Sequence, residues 1–338
     1  WCRQQNRDLR ELELAQRAVE MWSGMNEELG AETGFRRTGL VYVTTSQSDL
    51  DAWTRWGNAA RERQMRSHVL SAAEAKAMAP GSTGNWIGGI HSPTDGRAEP
   101  ALAVPAIAEG ARRLGVTLHQ DCAARGLETS AGRVSGVVTE KGTIRTSAVL
   151  VAGGVWTSLF CRHHGISLPQ AGVRGTAFAT TLAPEVTKGG LSSPRWVIRR
   201  RLDGGYTVAM RGHGRLELTP QGLRYTRNFL PLFRTRLGAG VKIRIGRSFL
   251  EGPEALARWQ PDGPSPFERI RVLDPEPEQD VIAAALKELV ADFPALAGIR
   301  AHHAWAGWID NTPDAIPVIS AVESLPGFWL AAGFSGHG

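Results

Sequence analysis

The residue types best suited to ligand chemistry lie at the end of the chain, in the sequence AAGFSGHG (331–338). Strand-like residues 328–331 lead into three glycines, which would let a main chain approach a ligand closely. Ser335 could donate a hydrogen bond, and His337 could lie near a reacting atom. A glycine-rich loop that opens a helix also aims main-chain N–H groups at negative charge. The stretch therefore predicts a ligand-holding turn, or else a turn whose glycines serve only for positive φ.

Other common catalytic motifs are missing from the sequence. It contains no GxxxxGK[ST] loop, no strand-linked GxGxxG, and no HExxH, GxSxG or paired-cysteine pattern. The pairs His163-His164 and His302-His303 are adjacent residues, which point to opposite sides of a strand. We therefore predict no metal site.

The segments that must position these side chains alternate between helical and strand-like patterns. Apolar residues recur every three or four positions over 8–30, which predicts an amphipathic helix with Asp8 as a possible N-cap. Further helices are predicted at 49–65, from the capping box Ser71–Glu74, at 100–114 and at 277–293. Strands are predicted at 38–45, 85–91 and 116–120, in a meander ending at 148–152, and across much of 166–275. The pattern indicates an α/β domain interrupted by a mostly antiparallel β domain.

Bulk properties exclude several classes of protein. The 338 residues carry a net charge of +6, but the basic residues are scattered, so no nucleic-acid partner is predicted. No apolar run of about 18 residues occurs, so no membrane span is predicted. The cysteines Cys2, Cys122 and Cys161 are few and far apart, which favours a reducing compartment, and we predict a cytoplasmic location.

The segment from His302 onward resembles the C-terminal part of the FAD-dependent amine and amino-acid oxidoreductases of the D-amino-acid oxidase superfamily, nearest the sarcosine oxidase and glycine oxidase branch. The matching pieces are TPD (312–314), the P-x-I that follows (317–319), LPGFW (325–329) and AGFSGHG (332–338). VLVAGGVWTSLF (149–160) and the opening WCRQQ (1–5) are also similar to stretches of the family. The likeness covers nearly the whole chain.

The resemblance implies FAD as cofactor and a set of residues that bind it. The C-terminal turn would face the flavin where negative charge gathers as the ring accepts a hydride. The implied cofactor-binding residues are Gly153, Gly154, Trp156, Gly333, Phe334, Ser335, Gly336, His337 and Gly338. A tight strand exit is the alternative for the Gly153-Gly154 pair, and a core position is the alternative for Trp156.

Arg3 and His337 are the implied catalytic residues. Arg3 would place a cation above the flavin plane near the substrate, and an ordinary exposed arginine is the alternative. Because a guanidinium binds carboxylate in a bidentate way, three more arginines are candidate carboxylate clamps, although each is also a typical surface residue: Arg36, Arg37 and Arg174. The loop with Asp95-Gly96 resembles a family loop with a structural role.

The family's domain plan predicts that the chain passes between two domains. The fold class is α/β with two domains, in which an incomplete FAD-binding Rossmann-like domain is interleaved with a mostly antiparallel β-sheet substrate domain. The FAD-binding parts would be 1–34, 100–165 and 301–338, and the substrate-domain parts 35–99 and 166–300. The resemblance also implies that about 45 residues with the GxGxxG unit and a final helix lie outside this sequence.

The implied activity is the oxidation of a small amine that carries a carboxylate. Hydride would pass from its α-carbon to flavin N5, and the imine would hydrolyse in water. Some sarcosine oxidases attach flavin through a cysteine seven residues before the TPD aspartate. Gly307 occupies that place here, so FAD is expected to bind non-covalently. Oxidation of a hydroxy acid or glycerol phosphate, or a non-catalytic partner-binding subunit or fragment, is the alternative, and homo- or hetero-oligomerisation is left open.

Overall fold

The structure, a computed structural model, describes residues 1–236 and 241–336, with the side chains of 233–236 and 241–243 left aside. The helices are α1 (Leu12–Leu29), α2 (Gln47–Arg61), α3 (Ala72–Met78), α4 (Pro100–Arg113), α5 (Thr157–His163), α6 (Pro220–Arg224), α7 (Thr226–Arg236), α8 (Pro266–Arg269) and α9 (Gln279–Asp292).

The strands are β1 (Leu40–Thr44), β2 (His68–Ser71), β3 (Gly88–Ser92), β4 (Ala124–Ser130), β5 (Arg133–Thr139), β6 (Gly142–Arg145), β7 (Val149–Val151), β8 (Ala171–Thr180), β9 (Gly190–Ser192), β10 (Trp196–Arg200), β11 (Tyr206–Met210), β12 (Gly214–Glu217), β13 (Val241–Arg244), β14 (Ala301–Asn311), β15 (Val318–Ala321) and β16 (Phe328–Ala332). The chain forms two compact units. We call them the first unit (Trp1–Leu118, Thr176–Arg211, Glu276–Trp305) and the second unit (His119–Gly175, Gly212–Pro275, Ala306–Gly338).

The first unit contains a sheet in the order β8-β11-β10-β9-β1-β3-β2. All neighbours in this order are antiparallel except β1 and β9, which confirms a mostly antiparallel sheet. Leu289 of helix α9 and Phe293, the C-cap residue of that helix, lie in the core that contains Trp196. Trp196 also donates from Nε1 to Asp292 Oδ2 over 2.7 Å, so the buried indole N–H has a partner.

The second unit contains two three-stranded sheets, and its strands β12 and β13 pair with each other in parallel. Strands β4, β5 and β6 form the predicted antiparallel meander, with Ala131-Gly132 at its first turn. Strand β16 lies between β15, which is antiparallel to it, and β7, which is parallel to it. Phe160 of α5 and Phe328 of β16 lie in one core, with ring centroids 6.3 Å apart. Together the elements confirm the predicted mixed α/β class.

Three local predictions are wrong. Helix α1 begins at Leu12 with Glu11 as N-cap, while Asp8 Oδ1 accepts from Arg10 N over 2.9 Å in a turn before the helix. Residues 116–120 are not a strand, because Val116 N donates back to Ala111 O as the preceding helix ends, and the exposed stretch has no strand partner in the described chain. His163 ends α5 and does not lie on a strand.

Helices α6 and α7 were not predicted at all. Thr219 is the N-cap of α6, since its side chain accepts from Gly222 N over 3.0 Å, and Pro220 occupies the first helical position. The Thr-Pro pair is a helix-start signal that the sequence carries and that could have identified α6.

Candidate cofactor site

The two glycine-rich turns lie at the same edge of one sheet. Strands β7 and β16 are parallel, with Val149 opposite Phe328 and Val151 opposite Leu330. Parallel strands end at the same edge, so the turn after Val151 and the turn after Ala332 emerge side by side. In open α/β sheets, ligands bind beyond the carboxyl ends of such strands. We call this place the glycine edge, defined by residues 152–157 and 333–336.

The first turn of the glycine edge is shaped by Gly154. Its φ is +53°, and a side chain built there would have no atom within 4 Å, so the turn is open on that side. A 3-10 turn over Gly154–Trp156 leads directly into α5. Thr157 is fully buried, and its Oγ1 has no hydrogen-bond partner among the described residues. An unpaired hydroxyl therefore lies beside the exposed main chain of Gly153.

The second turn is held against the TPD sequence. Gly333 has a φ of +73°, and a side chain on it would overlap Thr312 Cγ2, so the position requires glycine. Thr312 N donates to Ser335 Oγ over 3.4 Å, and Ser335 Oγ donates to Gly333 O over 3.0 Å. Ser335 itself has a φ of +53°. The TPD threonine thus fixes the turn that the sequence singled out.

A hydrogen-bonded pair, the buried Gln170 and the half-buried Asp310, joins the two turns. Gln170 is fully buried and donates from Nε2 to Gly154 O over 3.0 Å and to Asp310 Oδ2 over 3.2 Å. Asp310 Oδ2 accepts from Gly333 N over 2.7 Å, and the main-chain oxygen of Asp310 accepts from Ser335 N over 2.8 Å. Neither residue belongs to a recognisable motif, so the sequence alone does not predict their role.

The amide of Gln170 is saturated by further contacts. Its Oε1 accepts from Ser158 N over 3.0 Å, and its main-chain oxygen accepts from Gln221 Nε2 over 2.8 Å. Because both the nitrogen and the oxygen of the side-chain amide have partners, the Gln170 side chain has one orientation. The glycine edge is therefore preorganised by buried hydrogen bonds.

The remaining predicted cofactor residues divide into three groups. Phe334 forms an isolated β-bridge with Asn311, which places it on the second turn beside Gly336. Trp156 packs edge-on against Phe267, with centroids 5.3 Å apart, as a partly buried side chain behind the first turn. His337 and Gly338 lie outside the described residues.

Arg3 belongs to the first unit, where Asp95 fixes the segment that carries it. Asp95 is fully buried, and its carboxylate accepts from Gln4 N over 3.0 Å and from Gln5 N over 3.1 Å. Burial raises the pKa of Asp95, and these N–H donors oppose that rise. Arg3 Nη1 donates to Gln5 O over 2.7 Å. The predicted structural role of the Asp95-Gly96 loop agrees with these contacts.

Gln5 is a further residue whose role no sequence motif predicts. Its side chain is fully buried, yet neither Nε2 nor Oε1 has a hydrogen-bond partner among the described residues. Buried amides of this kind usually have partners, so Gln5 marks a place where a polar ligand group would be stabilising.

The three candidate carboxylate clamps already have partners inside the protein. Arg36 Nη2 lies 2.9 Å from Glu32 Oε2, and Arg37 donates to Ser23 Oγ. Arg174 Nη1 lies 3.1 Å from Glu217 Oε1, and its guanidinium lies 4.6 Å from the centroid of the Trp308 ring. Each of these contacts would have to be exchanged or shared before the arginine could bind a substrate carboxylate.

The glycine edge fits a dinucleotide cofactor in two respects. Gly154 carries no side chain, and no atom lies within 4 Å of the place that one would occupy, so a flat ring or a phosphate can approach the main chain there. The unpaired Thr157 Oγ1 lies at the same turn. Cys161 lies in the core behind the edge, where burial raises the pKa of its thiol to about 12, so it is a packing residue.

Two mitochondrial dehydrogenases are similar in sequence to this chain. Human (Homo sapiens) mitochondrial sarcosine dehydrogenase is 30% identical over 151 residues, which are 43% of this chain and 16% of that protein. Mouse (Mus musculus) mitochondrial dimethylglycine dehydrogenase is 22% identical over 322 residues, which are 95% of this chain and 33% of that protein. The chain thus spans a third or less of the length of these relatives.

The fold and the family agree with the sequence likeness. The L-amino acid deaminase from Proteus vulgaris superposes with a TM-score of 0.91 at 28% identity, over 98% of this chain and 78% of that one. No helix in the described ranges is long and apolar enough to cross a membrane. The family described as FAD dependent oxidoreductase (DAO), whose cofactor is FAD, matches residues 1–338. The chain therefore belongs to the FAD dependent oxidoreductase family.

Proposed function

We propose that the protein oxidises the C–N bond of a small amino acid or N-methyl amino acid, with FAD bound at the glycine edge. The observation that carries this proposal is the parallel pairing of β7 with β16, which brings two separate glycine turns to one sheet edge. The hydrogen bonds of Gln170 and Asp310 then fix the two turns to each other.

The cofactor-binding set of the proposal is the one that the sequence resemblance implied. The main chain of Gly153 and Gly154 would face the pyrophosphate or ribose, and the turn with Gly333 and Ser335 would face the flavin ring. When bound, FAD supplies the acceptor for a hydride from the α-carbon of the substrate, and the resulting imine hydrolyses in water. Attachment is non-covalent in this proposal, because Gly307 offers no nucleophile.

The chain's own contribution would be position and electrostatics. Main-chain N–H groups of the second turn other than those of Gly333 and Ser335, which donate to Asp310, would stabilise negative charge, and His337 would lie beside the ring or the substrate. Arg3 would supply a cation near the substrate, on a segment that Asp95 holds rigidly. Arg3 and His337 are thus the catalytic residues of the proposal.

The names of the relatives support the substrate class. Sarcosine and dimethylglycine are N-methyl amino acids, and the superposed L-amino acid deaminase is named for amino acids. All of these compounds carry an amine and a carboxylate on the same carbon atom. A small amine with a carboxylate is therefore the substrate that the family context favours.

The proposal keeps the five-segment domain plan and the cytoplasmic location. Strands β7 and β16 belong to two segments assigned to FAD binding, 100–165 and 301–338, and they pair directly. That pairing lies within the second unit, and helices α1 and α4, from two such segments, meet within the first unit, since Arg113 donates to Leu29 O. The location rests only on the three widely separated cysteines.

An anaerobic reduction panel tests the substrate class. FAD-loaded protein is mixed without oxygen with N-methyl, D- and L-amino acids, and in parallel with 2-hydroxy acids and glycerol phosphate. The proposal predicts loss of the oxidised flavin absorbance with one class of amine and none with the alcohols. Reduction by the alcohols alone would contradict the proposed C–N oxidation while leaving FAD binding intact.

A further inference from the structure

A cleft in the second unit is lined by three arginines. It has a volume of about 400 Å³ and is formed by the end of α5, by α6 and by the loop 256–260. We call it the arginine cleft, defined by Arg162, His163, Arg224, Arg258, Trp259 and Gln260. Pockets for small molecules start at about 300 Å³, so the cleft can hold one.

Among the described residues, no carboxylate forms an ion pair with an arginine of the arginine cleft. Its lining includes no aspartate or glutamate. Arg224 and Arg258 are exposed, and in the described parts of the chain neither they nor Arg162 has a carboxylate partner. By contrast, Arg125 in the same unit lies 2.8 Å from Glu268. Positive charges gathered without a counter-ion repel one another, so an anion in the cleft would relieve that repulsion.

Arg162 is anchored in a way that leaves one nitrogen for a ligand. Its Nη2 donates to Ala255 O, which fixes the guanidinium plane. Its Nη1 is buried and has no hydrogen-bond partner among the described residues. Burial lowers the pKa of Arg162, and the nearby Arg224 lowers it further, so the two guanidinium groups are close enough to interact. A buried, unpaired donor beside a second cation is the arrangement expected of an anion site.

An aromatic stack forms a rigid wall of the cleft. The rings of His163 and Trp259 are parallel within 12°, with centroids 4.0 Å apart. Trp259 is fixed in turn by a hydrogen bond from Nε1 to Arg125 O over 2.7 Å and by edge-on contact with Phe267. The wall cannot collapse into the cleft without breaking these contacts, so the space between the arginines is preformed.

We propose that the arginine cleft binds a small, multiply charged oxyanion, such as a pyrophosphate-like or polycarboxylate group. Planar guanidinium groups bind phosphate and carboxylate oxygens in a bidentate way. Three of them match a ligand with several negative charges better than a single carboxylate. The site is separate from the glycine edge and does not depend on the proposed oxidation.

Calorimetric titration of FAD-saturated protein tests the proposal. Saturation with FAD keeps the probe out of the cofactor site, and low ionic strength limits the screening of exposed charges. Pyrophosphate and tricarballylate are titrated separately, which distinguishes a phosphate ligand from a polycarboxylate. Saturable binding of either probe is expected, and the tighter probe identifies the class.

The variants use the two exposed arginines, whose loss leaves no buried group without a partner. The double variant Arg224→Gln/Arg258→Gln should bind the tighter probe at least about tenfold more weakly, since each lost charge-assisted hydrogen bond has an effect of that order. Arg145→Gln, an exposed arginine on β6 of the same unit, is the control and should bind as the unaltered protein does. The absence of saturable binding by both probes, or equal affinity in the double variant and the control, would overturn the proposal.

Discussion

Gln170 donates from Nε2 to Asp310 Oδ2 over 3.2 Å, and this contact joins two residues 140 positions apart in the chain. Through it, the main chain after β7 and the main chain after β16 share one partly buried hydrogen-bond network. The glycine edge is thus set by polar side chains behind the turns as well as by the glycines.

Replacing Asp310 by alanine should loosen the second turn. The change leaves Gly333 N without its acceptor and Gln170 Nε2 with only Gly154 O. Lost partners of buried donors typically cost about 1–3 kcal/mol of unfolding free energy. The free energy of unfolding, measured by denaturant titration, and the flavin-to-protein absorbance ratio should both be lower than in Glu323→Ala, a control at an exposed position in the same unit. Unchanged flavin content in Asp310→Ala would show that the network does not support the cofactor site.

Gly333→Ala should lower the free energy of unfolding more than an ordinary glycine substitution does. The new side chain would adopt a φ of +73° and also overlap Thr312 Cγ2. Gly132→Ala is a matched control, since its φ is +74° but nothing lies within 4 Å of the added atom. The control should lose about 1 kcal/mol of unfolding free energy from strain alone, and Gly333→Ala should lose more.

A second variant separates the overlap from the strain. Thr312→Ser removes Cγ2, so Gly333→Ala combined with Thr312→Ser should regain part of the loss seen in Gly333→Ala. Equal unfolding free energies for Gly333→Ala and Gly132→Ala would show that the overlap is relaxed without cost.

The sequence predicted this site in part. The motifs TPD and AGFSGHG predicted the C-terminal turn, and the apolar run before Gly153-Gly154 predicted the first turn. Both predictions were possible because glycine and strand patterns are local features of the sequence. Gln170 and Asp310 were missed because their roles arise only when β7 and β16 pair. Residues 116–120 looked like a strand from their alternating apolar residues, but a strand forms only where a partner is present.

Glu254 should make stability depend on pH. Its carboxylate is buried, accepts from Gly172 N over 2.6 Å, and has its pKa raised by burial from 4.5 to about 7. Between these values the unfolded chain ionises the group and the folded chain keeps it protonated. Its contribution to stability is therefore complete below pH 4.5 and is lost as pH rises to about 7, by up to about 3 kcal/mol.

Glu254→Gln removes that titration and keeps an acceptor for Gly172 N. The unfolding free energy of the unaltered protein, measured by denaturation from pH 4.5 to 8, should fall relative to that of the variant over this range. Parallel curves for the two proteins would mean that Glu254 is ionised normally in the folded state.

Arg3 and Asp95 should respond differently to substitution. Arg3→Gln removes the cation proposed to lie near the substrate, so it should lower kcat/KM by about tenfold or more. Because the change removes only one hydrogen bond, that to Gln5 O, the melting temperature should stay nearly unchanged. Asp95→Ala leaves the buried donors Gln4 N and Gln5 N unpaired and should lower the melting temperature as well. Arg17→Gln, on the exposed face of α1, is the control. Full activity in Arg3→Gln would remove Arg3 from the catalytic set.

The visible absorption spectrum of the purified protein, recorded after FAD loading and removal of free cofactor, tests the central claim most directly. We expect a yellow protein that retains about one flavin per chain by non-covalent binding, since acid precipitation should release the flavin. A cooperatively folded protein that remains colourless would contradict the assignment of a cofactor site to the glycine edge.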